Sequence, residues 1–262
     1  PAQSAKPAIG RMVFVRTFSD GKDIVVREDN GGELRLVSGK VEERRPALSP
    51  DGRQVAFVGT EVGKSTRVCV IGSGGGTYFC LANAALDSSL AWSADGSELF
   101  FARDSKLYSV LVAPPPSPAP TEVDRNVAVT ANNFSMNPAR SAIVTPTGAG
   151  LTIRPLDHSP AIELVGRGQP ANVAWSPGGD LVAFSDGNDV WVTDARSGGS
   201  VRQLTDAATV ETEPGWSRDG QWVVYRSNAT GSGDLYAVGT APGSPPAVRV
   251  TVHDAADITP AL

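Results

Sequence analysis

A motif that returns about every 42 residues constrains the fold of this 262-residue chain more than any other feature. Clear copies lie at 46–57, 90–101, 173–184 and 214–225, and a weaker copy lies at 133–144. The serines at the same place in each copy are Ser49, Ser93, Ser135, Ser176 and Ser217. A repeat of this length is typical of propellers and solenoids, in which each unit packs against the next.

Each copy reads as an apolar strand, a tight turn and a second strand. The turn sequence Ser-Pro-Asp-Gly suits this role because Asp bonds nearby backbone and Gly accepts a positive φ. The alternating β-branched and aromatic residues that follow are a hairpin signal. A second strand pair comes next, as in 23–27 with 33–37 and in 189–193 with 201–204. Four strands in about 42 residues indicate one blade of a β-propeller.

The two ends of the chain complete the ring. Residues 10–16 are similar to 52–58, so the chain enters a blade at its second strand, and residues 258–262 are similar to 44–48, an innermost strand. We therefore predict an all-β, six-bladed β-propeller of four-stranded antiparallel blades, closed by N-terminal and C-terminal strands that share one blade. Residues 1–9 are predicted to be a linker and 10–262 a single domain. The expected inner strands lie near 46–49, 90–93, 133–136, 173–176, 214–217 and 258–262.

The repeated Trp-Ser-Pro-Asp-Gly, followed by a strand ending in Ala-Phe or Val-Tyr, resembles the TolB-like, WD40-like (PD40) β-propeller repeat. The resemblance covers about residues 10–262. It implies a bacterial periplasmic or extracellular propeller that acts as a binding scaffold or sensor, often as part of a larger envelope protein. Relatives also form the non-catalytic domain of some peptidases, so the resemblance implies architecture more strongly than ligand.

Composition excludes some classes of partner. The chain has 23 Lys and Arg against 28 Asp and Glu, and its net charge of −5 comes without a basic run. Nucleic-acid binding is therefore not expected. Apolar runs stay below the length of about 18 residues that a membrane span needs, so membrane attachment is expected only through parts of a longer precursor. We expect a monomer.

Two cysteines bear on the compartment. Cys69 and Cys80 lie in β-rich runs joined by the glycine-rich segment 72–76, and a hairpin centred there places them opposite each other. Antiparallel neighbours of this kind come within about 4.5 Å between Cα atoms, close enough for a disulfide. Two buried thiols are the alternative. A disulfide would indicate an oxidising compartment.

Signatures of catalysis are weak in this sequence. The only histidines, His158 and His253, lack a second His or Cys at ligand spacing, so we predict no metal, cofactor or catalytic residues. Gly-x-Ser-x-Gly and Ser-x-x-Lys motifs do not occur. A non-enzymatic binding function is therefore expected. The alternatives are an accessory propeller of a peptidase or glycan lyase, or a small-molecule sensor.

Three connections that are neighbours around the predicted ring, 41–45, 205–214 and 251–260, are rich in carboxylates. They carry Glu42, Glu43, Asp206, Glu211, Glu213, Asp254 and Asp257. Acids on one arc of a channel mouth would attract cations or a basic peptide, because low-dielectric walls focus the field. We predict that these residues dock a protein or peptide partner there; solvated loop charges are the alternative.

Overall fold

The computed structural model describes residues 9–37, 41–61, 63–86, 88–128, 133–148, 150–165, 168–196, 200–253 and 255–261. Within these residues the strands form six four-stranded antiparallel sheets, which are the blades of a propeller. The prediction of an all-β six-bladed propeller is confirmed. No helix in this part of the chain is long and apolar enough to cross a membrane.

The strands are numbered in chain order, and each blade is given from its innermost strand outward. Blade 1 contains β24 (Asp257–Ala261), β1 (Met12–Phe18), β2 (Gly21–Arg27) and β3 (Glu33–Arg35). Blade 2 contains β4 (Val41–Leu48), β5 (Gln54–Glu61), β6 (Arg67–Gly72) and β7 (Phe79–Asn83). Blade 3 contains β8 (Leu90–Trp92), β9 (Glu98–Arg103), β10 (Lys106–Leu111) and β11 (Thr121–Ala128).

The remaining three blades follow the same order. Blade 4 contains β12 (Ser135–Met136), β13 (Ala142–Pro146), β14 (Gly150–Pro155) and β15 (Ile162–Val165). Blade 5 contains β16 (Ala171–Trp175), β17 (Leu181–Asp186), β18 (Asp189–Asp194) and β19 (Val201–Gln203). Blade 6 contains β20 (Glu211–Trp216), β21 (Trp222–Ser227), β22 (Asp234–Gly239) and β23 (Val248–Arg249).

Blade 1 closes the ring as the sequence predicts, because the C-terminal strand β24 pairs with the N-terminal strand β1. The packed chain begins one residue earlier than expected. Ile9, predicted to end a linker, is 6% exposed and packs with Met12 and Leu235. The other residues of that predicted linker, 1–8, lie outside the described ranges.

The hydrophobic core is divided among the seams between blades. At the seam of blades 1 and 2, for example, Val13 and Ile24 pack against Val55 and Phe57. Middle strands such as β1 are buried on both faces, because a neighbouring blade covers each side. These strands therefore carry continuous apolar runs and hold the inner strands around the axis.

In blades 2, 3, 5 and 6, the turn after the inner strand is built by the repeated motif. In blade 2, Ser49 Oγ donates to Asp51 Oδ1 at 2.7 Å, and Gln54 N donates to Ser49 Oγ at 2.9 Å. Ser93 with Asp95 in blade 3 and Ser217 with Asp219 in blade 6 repeat the first bond at 2.6 Å. The motif thus fixes where these inner strands stop.

Blade 4 differs from the sequence alignment by two residues. Asn137, rather than Ser135, holds its turn: Asn137 N donates to Ala142 O, and Ala142 N donates to Asn137 Oδ1 at 3.0 Å. Asn137 therefore corresponds to Ser49, whose backbone bonds Gln54 in the same way. The Asn side chain supplies the acceptor oxygen that a Ser hydroxyl supplies elsewhere, so this copy looks degenerate in sequence only.

Candidate functional site

The inner strands of the six blades enclose a central cavity of about 520 Å³. Toward one end, the residue four positions before the turn Ser or Asn lines the cavity in blades 2 to 6, and Thr259 of blade 1, which aligns with Arg45, lines it too. We call these six residues the collar: Arg45, Ser89, Asn133, Asn172, Glu213 and Thr259. All six are polar, whereas the seams behind them are apolar. Of the collar, the sequence analysis singles out Glu213 alone. Comparing the same position in the aligned repeats would have found the others except Asn133, whose repeat is misaligned by two residues.

Four collar residues have unusual backbone geometry. Arg45, Asn172, Glu213 and Thr259 have φ between 49° and 56°. Three lie where β4, β16 and β20 slip register against the next strand, and Thr259 lies where β1 slips against β24. Such bulges re-aim side chains, and a left-handed non-glycine residue costs about 1–3 kcal/mol. This unusual geometry recurs in four blades at one level of the cavity, which makes the collar a candidate site.

The collar offers both donors and acceptors to a ligand. Glu213 Oε2 accepts a bond of 2.8 Å from Thr259 N, and Asn172 Nδ2 donates to Ser185 Oγ at 3.1 Å. Arg45 has no hydrogen-bond or ion-pair partner within the described ranges. The guanidinium of Arg45 is therefore available to a carboxylate or carbonyl oxygen.

Beyond the collar, the side chains that line the cavity are first small and then large. The first ring is Ala47, Ala91, Ser135, Ala174, Gly215 and Ala261, and the next contains Leu48, Trp92, Met136, Trp175 and Trp216. Trp92 and Trp216 each donate Nε1 to a carbonyl of the preceding blade at 3.0 Å. Trp175 instead donates to Gly179 O in the turn of its own blade, and the Trp175 side chain stays partly exposed.

Three of the seven predicted rim carboxylates are buried instead. Glu43, Glu211 and Asp257 occupy equivalent positions, two residues before the collar, and each is at most 1% exposed. Asp257 accepts a two-pronged bond from Arg16 at 2.7 and 2.9 Å. Ser227 Oγ donates to Glu211 at 3.1 Å. Asp257 and Glu211 thus link neighbouring strands, and none of the three acids is exposed enough to contact a docked partner, which corrects the expectation for all three.

Glu43 lies in a different electrostatic environment. It faces Asp23 of blade 1, which is also fully buried and pairs with Arg35. Burial, together with the charge of Asp23, raises the pKa of Glu43 to about 9. Two ionised carboxylates repel each other and cannot form a hydrogen bond, because neither carries a proton. A protonated Glu43 can donate a hydrogen bond to Asp23. At neutral pH the pair therefore carries one negative charge rather than two.

The other acids do not form a continuous patch. Glu42 and Asp206 are exposed, and Glu42 pairs with Arg44 at 3.0 Å. Glu213 lies inside the channel, and Asp254 lies outside the described residues. The described channel lining contains two arginines, Arg45 and Arg140, against the single carboxylate of Glu213. The described residues thus give no support for a basic partner.

The mouth beside the collar also exposes apolar side chains. Six large hydrophobic residues are exposed in the described part of the chain, and three lie on connections into inner strands. These are Leu86, Val210 and Val252, which is 77% exposed. Val210 and Val252 belong to loops that are neighbours around the ring. These connections enter the inner strands at the collar end, and none of the three side chains lines the cavity itself.

The cysteines lie away from the channel, on the outer hairpin of blade 2. Cys69 in β6 and Cys80 in β7 face each other in register and form a disulfide. The histidines do not line the channel: His158 lies in an exposed turn after β14, and His253 lies in the loop before β24. Within the described ranges, no three His, Cys, Asp or Glu side chains are grouped so that they could hold a metal ion.

Comparison with known proteins points to two related groups. A family model described as the lipoprotein LpqB β-propeller domain matches residues 24–149, slightly under half of the chain. TolB from Acinetobacter baumannii superposes with a TM-score of 0.78 at 19% identity, covering 96% of this chain and 66% of that chain. The present chain thus spans slightly less than two thirds of that TolB.

Two further structures show the same architecture. A putative TolB from Agrobacterium tumefaciens has a TM-score of 0.66 at 14% identity, covering 92% of this chain and 88% of that chain. A chain of a nidogen/laminin complex has a TM-score of 0.73 at 10% identity, covering 96% and 98% respectively. At these identities the similarity is one of fold.

Proposed function

We propose that this chain, a TolB-like six-bladed β-propeller, is a non-enzymatic binding domain of the bacterial cell envelope that docks a protein or peptide at the collar end of its channel. The observation that carries the proposal is the exposure of Leu86, Val210 and Val252 around this mouth. Apolar contacts with a partner would remove these side chains from water, which is the main favourable term in protein association.

The collar supports the same proposal. Four of its six residues lie at bulges of the inner strands, so a docked segment would meet donors and acceptors on a preformed backbone. Preformed groups reduce the entropy lost on binding. Arg45 and Glu213 could each bind a group of opposite charge on the segment, while Asn172 and Thr259 suit its peptide groups.

An extracytoplasmic location is part of the proposal. The disulfide between Cys69 and Cys80 supports it, because such bonds persist in oxidising compartments and are rare in the cytosol. The likeness to TolB structures and to the LpqB propeller model points in the same direction.

The test is capture of partners from a cell-envelope extract of the source organism. The double variant Val210→Asp, Val252→Asp places two charges on the proposed contact surface and should lose most of the captured partner. The matched control is Leu34→Asp, Ile162→Asp, which alters exposed residues on outer strands and should capture as the wild type does. Equal capture by both double variants would mean that docking does not occur at this mouth.

A further inference from the structure

The opposite end of the channel contains a second feature, an arginine in a position where the repeat otherwise has glycine. Arg140 follows β12 and corresponds to Gly52, Gly96, Gly179 and Gly220 in the other inner-strand turns. Arg140 N donates to Asn137 O at 2.9 Å, just as Gly52 N donates to Ser49 O at 2.8 Å. The equivalence is therefore structural as well as positional.

The backbone at this position disfavours a side chain. The four glycines have φ between 70° and 77°, and Arg140 has φ of 57°. L-residues adopt this region at a cost, which glycine avoids because it lacks a Cβ. A strained residue at a cavity wall is a reason to look for function.

Nothing in the described part of the chain neutralises the Arg140 guanidinium. Its Nε is buried without a hydrogen-bond partner, and burial alone, with no neighbouring carboxylate, lowers the pKa of this side chain. The turns of blades 2, 3 and 6 carry Asp51, Asp95 and Asp219 just before the glycine. Blade 4 has Ala139 at that place and blade 5 has Gly178. The turn that contains Arg140 thus has no acid to pair with it, and Asp180, the acid of the next turn, instead accepts a hydrogen bond from Ser176 Oγ at 3.1 Å.

The surroundings of Arg140 in the channel are apolar and aromatic. Met136, Pro138, Trp175 and Pro177 line the same end of the cavity, and the Trp175 ring is partly exposed. Guanidinium groups bind carboxylates through two parallel hydrogen bonds. An apolar wall beside such a cation favours an organic acid over a hydrated inorganic anion.

We propose that this end of the channel binds a carboxylate attached to an apolar body, with Arg140 bonding the carboxylate and Trp175 and Met136 contacting the apolar part. The carboxylate could belong to a free organic acid or to the C-terminus of a peptide. The proposal does not depend on partner docking at the collar, because it rests on different residues, which line the opposite end of the cavity.

Isothermal titration calorimetry tests it with two acid–amide pairs: 3-phenylpropionate and its amide, and the tripeptide Ala-Ala-Phe with a free or an amidated C-terminus. We expect at least one acid to bind the wild-type chain about tenfold or more tightly than its amide. The pair that shows this preference identifies the source of the carboxylate. Equal binding of acid and amide in both pairs, or no binding at all, would overturn the proposal.

Two variants connect the preference to Arg140. Arg140→Gly should remove it while raising Tm by about 2–4 °C, since the turn becomes that of the other blades. Arg218→Gln alters an exposed arginine that does not line the channel, and should bind as the wild type does. If Arg140→Gly still bound the acid more tightly than its amide, a residue other than Arg140 would be responsible for the preference. Val210→Asp, Val252→Asp should leave carboxylate binding unchanged, so failure of either proposal can be recognised separately.

Discussion

Two carboxylates at the same place in the repeat, Asp257 and Glu43, are buried in opposite ways. Asp257 receives two hydrogen bonds from Arg16, and Glu33 binds the same guanidinium at 2.5 Å, so the charge of Asp257 is matched. Glu43 instead meets the carboxylate of Asp23 and holds a proton at neutral pH. The repeat decides where an acid is placed, whereas the side chains opposite decide whether that acid is charged.

The largest expected effect comes from neutralising Asp257. Asp257→Asn removes a charge that Arg16 needs, within the blade that joins the two ends of the chain. We expect it to lower the free energy of unfolding by about 3–4 kcal/mol, because the buried Arg16 guanidinium loses its buried carboxylate partner and keeps only the partly exposed Glu33. Glu43→Gln is the matched amide substitution and should instead stabilise the protein by about 1 kcal/mol at pH 7, because the wild-type carboxyl takes up a proton on folding and Gln does not. Urea denaturation at pH 7 measures both; similar losses would show that the two acids carry the same charge.

A second effect comes from the disulfide that distinguishes the two blades in which these acids lie. Blade 2, which carries Glu43, has the Cys69–Cys80 disulfide, whereas the described part of blade 1 contains no cysteine. Replacing both cysteines by Ser should cost about 2–3 kcal/mol, because the closed loop is short and its removal frees the unfolded chain only modestly. Thermal unfolding with and without reductant measures this, and the Ser variant should be insensitive to reductant. An unreduced wild type with two titratable thiols would contradict the assignment.

The smallest expected effect is the pH dependence of stability that Glu43 causes. The pKa of Glu43 is raised in the folded state, so the stability that protonation contributes is complete below its unfolded pKa and is lost as pH rises toward about 9. Relative to Glu43→Gln, the wild type should lose about 1–2 kcal/mol between pH 5 and pH 8, within the limit of about 1.4 kcal/mol per pH unit. Denaturation midpoints across this range measure the difference. Parallel curves for the two proteins would mean that Glu43 is ionised when folded.

Much of the fold could be predicted because its signals are local and repeated. The Ser-Pro-Asp-Gly turns bond their own backbone, so Ser49 and Asp51 act the same way in any blade. The pairing of Cys69 with Cys80 follows from a hairpin that spans few residues. Blade 4 was harder to align because Asn137 replaces the serine hydroxyl with a longer side chain that reaches the same amides.

The candidate site was predicted less well because burial is a property of neighbouring blades. Glu211 and Glu213 are two residues apart in one strand, yet a register slip between them leaves the first in the wall and the second in the channel. Sequence position near a loop could not separate them. Arg140 was also missed, because its meaning depends on the glycines that occupy its place in other blades.

The number of blades, the strand order and the closure of the ring could be predicted from the sequence, since each copy carries its own turn chemistry and apolar strands. The folded structure was needed to show which polar residues face the channel, which acids are neutralised in the seams and which channel arginines lack a partner among the described residues. Those outcomes depend on side chains that meet across blades, such as Glu43 with Asp23, far apart in any single repeat. A repeat specifies a position, and the physical environment at that position is set by the neighbours that folding brings to it.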